Sequence, residues 1–289
     1  MGAWGFRRLT PALMILPSLV ALYAVGIYPF LMTIFYSLHR YYLPEGRMFF
    51  NAGFNYISIF KSAYFPESLK TTFIFVSMAV PLEFVLGMGL AILLNREVKG
   101  RRFFRFVSTL PLLLPPLLAA LMWKLILSPS IGFINGVLWV LKLPQPDWFG
   151  VPLAMLSLVL IDVWQWTPLI ALILLAGLQS IPQDMVEAAM VDGAGGWQIF
   201  KSIVIPFLKP LILIALVIRF AGAFKVFDIV FTVTEGGPGS FTTTCSVAIY
   251  KTAYWRYFMG EAAAMTIVAT FVLLFAASIL FRVLRGVKK

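Results

Sequence analysis

Residues 180–206 read SIPQDMVEAAMVDGAGGWQIFKSIVIP, and strongly apolar stretches flank this segment on both sides. The segment mixes charges, glycines and prolines with short apolar runs, whereas a membrane helix needs about 20 consecutive apolar residues. Its flanks, residues 153–178 and 211–234, are long enough to cross a bilayer. The segment is therefore predicted to be a loop at one face of a membrane.

The loop carries the signals of two short helices around a glycine turn. Ser180 can cap the first helix, and Pro182 suits its opening turn. The glycines at 193, 195 and 196 permit the left-handed backbone that a sharp reversal requires. Pro206 is predicted to stop or kink the second helix. A compact helix–turn–helix at a membrane face suits a docking element for a soluble partner.

Six apolar windows along the chain are long enough to cross a bilayer. They are Pro11–Leu38, Thr71–Leu94, Phe106–Leu127, Leu153–Leu178, Leu211–Thr234 and Ala262–Phe281. The chain is 61% hydrophobic and 12% charged, whereas soluble domains are about 45–50% apolar and about 25% charged. This composition excludes a soluble enzyme, a disulfide scaffold and a disordered protein. It predicts an all-α polytopic membrane protein with six transmembrane helices, forming a single domain over residues 1–289.

Basic residues crowd one side of these spans. The residues before the first span, the loop Arg96–Arg105, the loop around residues 180–209 and the residues after the last span hold 13 of the 23 lysines and arginines. The opposite side holds seven in longer loops. Short basic loops stay in the cytoplasm, so both termini and the 180–206 loop are predicted to be cytoplasmic. The net charge of +11 thus indicates topology rather than nucleic-acid binding.

The 180–206 loop resembles the EAA loop of ABC-importer permeases. The resemblance rests on Glu187-Ala188-Ala189, Asp192-Gly193-Ala194, Phe200, Ile203 and Pro206 at the family's spacing, with Ile205 in place of the usual leucine. In that family the loop supplies a coupling helix that sits in a groove of the ATPase, so the resemblance implies that these nine residues couple to an ATPase. The alternative is a simple interfacial hairpin. A second Glu-Ala-Ala at 261–263 lacks the matching glycine and is interpreted as chance.

Residues 223–238, AFKVFDIVFTVTEGGP, resemble the fifth-span end and Gly-Gly-Pro loop of carbohydrate-importer permeases of the maltose-transporter type. The resemblance covers residues 9–285 and is closest to the first of two non-identical permease subunits. It implies the type I ABC importer permease fold. It also implies a subunit that forms half of the translocation pathway of an ATP-driven importer for a sugar or polyol.

The resemblance also implies the partners of this chain. They are a second permease subunit, two copies of an ATP-binding ATPase subunit, an extracytoplasmic substrate-binding protein and membrane lipid, but no nucleic acid. The sequence contains no Gly-x4-Gly-Lys-Ser/Thr phosphate loop, and it has one cysteine and one histidine. The chain is therefore expected to be non-catalytic, without a metal site or cofactor, with ATP and Mg²⁺ on the ATPase. The expected location is a bacterial or archaeal cytoplasmic (inner) membrane.

Charged residues within the spans indicate where a solute could bind. A charge at mid-bilayer costs about 2.5–3.5 kcal/mol on insertion scales, so such residues face a bundle interior or a wet cavity. Two helical stripes line the sugar site in the family, and here they are Asp162, Gln165, Trp166 and Leu169, and Arg219, Gly222, Ala223 and Val226. Carboxylate, amide, indole and guanidinium groups suit a polyol. The alternative is an Asp162–Arg219 ion pair that braces two helices, and both roles are compatible.

Other charged residues receive structural interpretations. Lys225 and Asp228 are three apart and are predicted to pair on one helix. Glu83 is predicted to hydrogen-bond to a neighbouring helix, with a substrate contact as the alternative. Lys124 is predicted to extend its ammonium group towards the membrane surface. The basic loop Arg96–Arg105 is interpreted as a topology determinant near anionic lipid, with an ATPase contact as the alternative.

Three other functional classes make different demands on this sequence. Arg219 leaves open a related importer for an anionic or phosphorylated polyol, an osmolyte or another small solute. An intramembrane enzyme would need clustered carboxylates or histidines near the headgroups, and the sequence shows no such cluster. A self-contained channel or secondary transporter would move its solute without ATP and would need no docking loop.

Overall fold

The computed structural model describes residues 14–96 and 99–286, so Pro11 and the basic residues before it lie outside the described residues. In these ranges the helices are α1 Met14–Ser37, α2 Phe54–Lys61, α3 Tyr64–Asn95, α4 Arg101–Leu113, α5 Pro116–Ile126, α6 Phe133–Val140, α7 Leu153–Gln179, α8 Gln183–Val191, α9 Gly196–Ile199, α10 Ile205–Phe224, α11 Asp228–Val233, α12 Cys245–Tyr250 and α13 Met259–Gly286. Five helical runs are long and apolar enough to cross a membrane, and α4 with α5 makes a sixth if this bent pair is one span.

Residues 14–66, with residues 249–271, form one compact unit. The segment after α1 folds as an antiparallel hairpin, β1 His39–Tyr42 and β2 Arg47–Phe50, and then as α2. Aromatic residues on both arms favour the strands, and Gly46 supplies the left-handed turn between them (φ 62°). The carboxylate of Glu261 accepts a hydrogen bond from Ser58 Oγ at 2.7 Å. The second Glu-Ala-Ala therefore has a structural contact of its own.

Residues 67–248, with the residues after 271, form the other unit, and its core lies where α3, α7 and α10 pack together. Gly87 permits close approach of α3 to α7, because a Cβ at this position would lie 2.8 Å from Ile170 Cγ2. Small residues at such contacts let membrane helices pack closely. Glu83 lies one turn before Gly87 and is completely buried as a result.

The third predicted span, Phe106–Leu127, is not one straight helix. α4 and α5 meet at 97°, and the break falls at Leu114, whose backbone is extended (ψ 132°). Two consecutive prolines, Pro115 and Pro116, explain the break, since a proline disfavours helical backbone in the residue before it and lacks the N–H that a helix needs. The hydropathy of the window is continuous across this break, so hydropathy alone did not predict it.

The fifth predicted span, Leu211–Thr234, also differs from the prediction. The helical run starts at Gly196 and continues through a π-turn, Phe200–Val204, into α10. Of the two predicted effects of Pro206, a stop or a kink, the stop is absent, because the wider π-turn comes directly before the proline that lacks an N–H. The run breaks instead at residues 225–227, between α10 and α11.

Candidate functional site

The 180–206 loop is a helix–turn–helix, as predicted. α8 is followed by Gly193, whose φ of 82° lies in the left-handed region, whereas Gly195 has φ −72°. Ser180 does not cap α8 as predicted. Its Oγ donates to the carbonyl oxygen of Gly177 at 2.8 Å, so it belongs to the end of α7. The turn itself therefore depends on one glycine.

The nine predicted coupling residues divide between two sides of this loop. Exposed are Glu187, Ala188, Asp192, Gly193 and Pro206, and partly buried are Ala189, Ala194, Phe200 and Ile203. Two large apolar side chains near the turn, Val191 and Trp197, are 88% and 76% exposed. An exposed apolar surface with charged neighbours is typical of a protein-docking site.

A cluster of three buried charges joins three helices of the unit. Arg219 of α10 donates from Nε to Glu83 Oε2 and from Nη2 to Glu83 Oε1, both at 2.6 Å. Its Nη2 also donates to Asp162 Oδ2 of α7 at 2.7 Å. The three residues are at most 3% exposed. The hydrogen bond predicted for Glu83 is present, and its partner is the same arginine that pairs with Asp162.

This cluster gives Arg219 a structural role. Breaking a buried ion pair leaves an uncompensated charge and is strongly destabilising. The guanidinium also lies over the indole ring of Trp166, 4.8 Å from its centroid, a cation–π geometry. The bracing interaction between Asp162 and Arg219 is therefore present, with Glu83 as a third member. In the described ranges no three His, Cys, Asp or Glu side chains are grouped as a metal site would require.

A cavity of about 220 Å³ opens beside this cluster. Six of the eight predicted solute-binding residues line it: Asp162, Trp166, Leu169, Arg219, Gly222 and Val226. Gln165 and Ala223 do not, and each is 1% exposed. Gln165 Nε2 instead donates to the carbonyl oxygen of Leu114 at 3.0 Å. Gln165 thus satisfies a backbone group that the break between α4 and α5 leaves free, as any membrane-embedded backbone requires.

Replacing Gln165 with methionine should destabilise the protein by about 1–3 kcal/mol, because the Leu114 carbonyl loses its buried donor. The thermal unfolding midpoint of the detergent-solubilised protein measures this loss. The matched control is Gln183→Met, at an exposed glutamine of α8. Equal midpoints for the two variants would contradict the role assigned to Gln165.

Two charged residues at the break between α10 and α11 are exposed to the same cavity. Lys225 and Asp228 both line it, and neither forms an ion pair in the part of the chain that the structure describes. The predicted Lys225–Asp228 pair is therefore not formed. The two residues lie on either side of a non-helical stretch, so the spacing of a continuous helix does not apply to them.

Side chains from elsewhere in the unit bind carbonyl groups at this break and at the far end of α11. Thr244 Oγ1 donates to the carbonyl oxygen of Val226 at 3.2 Å. Lys124 Nζ donates to the carbonyl oxygen of Thr232 at 2.7 Å, so Lys124 binds the end of α11 rather than extending to the membrane surface as predicted. Free carbonyls at a helix end are commonly satisfied by such groups. The break is a built feature of the fold.

Several apolar spans, a charged cavity among them and an exposed loop between two of the cavity-lining helices define a membrane-embedded transport subunit. Residues 83–286 match the family model described as binding-protein-dependent transport system inner membrane component. The chain belongs to this family. It is accordingly a multi-pass inner-membrane permease subunit and not an enzyme.

Individual relatives agree with this assignment. The chain is 38% identical over 275 residues to the trehalose/maltose transport system permease protein MalF of Thermococcus litoralis, covering 93% of this chain and 91% of that protein. It is 31% identical over 280 residues to the sulfoquinovosyl glycerol transport system permease protein SmoG of Agrobacterium fabrum, covering 96% and 91%. It is 30% identical over 263 residues to the trehalose transport system permease protein SugA of Mycobacterium tuberculosis, covering 90% and 83%.

Solved structures agree on the fold. A bacterial ABC transporter involved in the import of the acidic polysaccharide alginate superimposes with a TM-score of 0.85 over 98% of this chain and 97% of that one, at 23% identity. The predicted family and the predicted type I importer permease fold are thus confirmed.

Proposed function

We propose that this chain is the permease subunit of an ATP-driven importer for a neutral sugar or polyol, with residues 180–206 as its coupling loop. The observation that carries the proposal is that both helices flanking the loop also line the cavity. α7 is unbroken and carries Asp162, and the helical run after the turn carries Arg219. A helix with a rise of 1.5 Å per residue places Asp162 about 26 Å from the loop and transmits a displacement over that distance.

The mechanism follows from this linkage. ATP binding closes the partner ATPases and displaces the loop, and the spans then move as rigid bodies. The cavity alternates between outside and inside as two states biased by nucleotide and by solute. No covalent chemistry takes place on this chain, which needs no cofactor of its own. ATP and Mg²⁺ belong to the ATPase.

The size of the cavity supports a second permease subunit. Small-molecule sites usually measure about 300–1,000 Å³, whereas this cavity measures about 220 Å³. A second permease would supply the remaining wall. The proposed complex also contains two ATPase copies, one for each coupling loop, and an extracytoplasmic substrate-binding protein that delivers the solute.

The proposed location is the cytoplasmic membrane of a bacterium or archaeon, with both termini in the cytoplasm. A cavity of about 650 Å³ supports this orientation, because Arg101 of the basic segment and Glu187 of the coupling loop both line it. The densest positive charge therefore lies on the side of the coupling loop, as the charge rule for cytoplasmic loops requires.

The charges of the site favour a neutral solute. Arg219 is already engaged by two carboxylates, and the other cation of the cavity, Lys225, is balanced by Asp228 in the same lining, so the cavity has no excess positive charge for an anion. Two of the relatives described above are named for trehalose or maltose. An anionic polyol is the second candidate, because another relative is named for sulfoquinovosyl glycerol.

The test is uptake by the complete importer in proteoliposomes with its binding protein. We expect uptake of trehalose or maltose that requires both ATP at the coupling-loop face and the binding protein. Neutral sugars should compete better than sulfonated ones, and the reverse order would favour the anionic candidate. Transport by this chain alone, or without ATP, would contradict the proposal.

A further inference from the structure

We propose that Lys225 and Asp228 are the solute-recognising charges of this importer and that they form hydrogen bonds with the hydroxyl groups of a neutral sugar. This inference rests on the proposed function and assigns roles that neither the sequence motifs nor the comparisons assign. It divides the charged residues of the cavity into a structural set and a recognition set.

The first step concerns the charges already in use. Asp162 and Arg219 line the cavity, yet Arg219 donates hydrogen bonds to both Glu83 and Asp162. The guanidinium also covers one face of Trp166. A solute that bound Asp162 or Arg219 would have to break a buried ion pair, and breaking such a pair strongly destabilises the protein. These residues shape the wall and leave recognition to others.

The second step concerns the charges left free. Lys225 and Asp228 are exposed to the cavity, and no hydrogen bond or ion pair of their side chains occurs within residues 14–96 and 99–286. A charge left near the middle of a membrane protein faces water or a ligand. Solute sites of transporters are typically formed where spanning helices are discontinuous. Lys225 lies in the non-helical stretch 225–227 of the span Gly196–Val233, and Asp228 directly follows that stretch.

The third step concerns how firmly the backbone around this break is held. Thr244 binds the carbonyl group of Val226, which lies between the two residues, and Lys124 binds Thr232 at the far end of α11, so the backbone that carries Lys225 and Asp228 is anchored at two points. Recognition residues on a rigid support lose less conformational entropy when they bind. An accidental frayed helix end would lack these contacts.

The fourth step gives the class of ligand. The Lys225 ammonium donates hydrogen bonds, and the Asp228 carboxylate accepts them. A sugar hydroxyl can do both, so one polyol can bind both residues. An anion would be attracted by Lys225 but repelled by Asp228 and by Asp162 nearby. A neutral polyhydroxylated solute matches this pair better than an anion does.

The experiment uses the complete importer in proteoliposomes, saturated with loaded binding protein, and compares initial uptake rates of trehalose and its monodeoxy analogues. Wild type should move at least one analogue about tenfold more slowly than trehalose, the loss expected for one unmade hydrogen bond to a charged group. Asp228→Ala should slow the uptake of trehalose itself, so the ratio of the trehalose rate to the analogue rate should fall close to one. Asp228→Asn keeps an acceptor and should retain part of the discrimination. Lys225→Met should remove discrimination at the hydroxyl that it binds.

The controls are Lys142→Met and Asp147→Asn, which change exposed charges outside the cavity and should keep the wild-type ratios. Equal losses for trehalose and every analogue would overturn the inference, since that pattern indicates packing or a contact with the second permease. Unchanged ratios in Asp228→Ala and Lys225→Met, or no discrimination by wild type, would overturn it as well. Absence of ATP-dependent sugar uptake by wild type would overturn the proposed function itself.

Discussion

Replacing Arg219 with methionine is expected to cost about 3–5 kcal/mol of stability, because it leaves two carboxylates buried without their cation. Glu83 and Asp162 are 0% and 2% exposed, so both carboxylates would stay largely buried without the guanidinium. The thermal midpoint and the yield of the detergent-solubilised complex measure the effect. Lys142→Met, which removes an exposed cation, should leave both unchanged.

A triple variant separates the bracing role from a solute-binding role. Arg219→Met combined with Glu83→Gln and Asp162→Asn removes all three charges and approximately preserves their shapes. Neutral replacement of a whole buried cluster is often tolerated, so the triple variant should recover most of the lost stability. If Arg219→Met alone is as stable as wild type but has an altered sugar preference, Arg219 is instead a solute contact.

The sequence predicted the helix–turn–helix of residues 180–206 well because its signals are local. A glycine turn and a fixed motif depend on neighbouring residues, and Gly193 adopts the left-handed backbone that the motif requires. Ser180 was misassigned because a serine between two helices can serve the end of one or the start of the next. Only the structure shows that its hydroxyl binds the carbonyl of Gly177.

The charged cluster could be predicted only in part. A carboxylate in a span requires a partner, so Glu83 signalled a contact, but the partner lies 136 residues away. Helical periodicity places residues on a face and says nothing about which helices meet. α3 approaches α7 closely at Gly87, and a glycine in an apolar span gives little warning of such a contact.

The broken spans were missed for a different reason. An average over about 20 residues measures apolarity and ignores backbone continuity. Pro115 and Pro116 gave a local signal for the first break, whereas residues 225–227 contain neither proline nor glycine. At that second break a tertiary contact is present, because Thr244 Oγ1 binds the carbonyl oxygen of Val226. Helical spacing therefore predicted a pair between Lys225 and Asp228 that is not formed in the described residues.

Replacing Gly193 with proline is expected to lower sugar uptake at least about tenfold, a loss within the usual range of coupling energies. Proline fixes φ near −65°, whereas Gly193 has φ 82°, so the turn must rearrange and α8 must leave its position. Gly193→Ala tests the same point more mildly, because left-handed backbone costs a residue with a side chain about 1–2 kcal/mol. Both effects are measured as ATP-dependent uptake and as stimulation of ATPase activity by loaded binding protein.

The chain provides a matched control for the Gly193 variants. A Cβ at Gly193 or at Gly195 would meet no atom within 4 Å, so neither substitution causes a clash, and only Gly193 has a positive φ. Gly195→Ala should therefore couple normally. If the two alanine variants behave alike, the backbone of the turn is not what holds the coupling helix. If Gly193→Pro assembles with the ATPase and imports sugar normally, the force on the cavity must enter the chain by a route other than this loop.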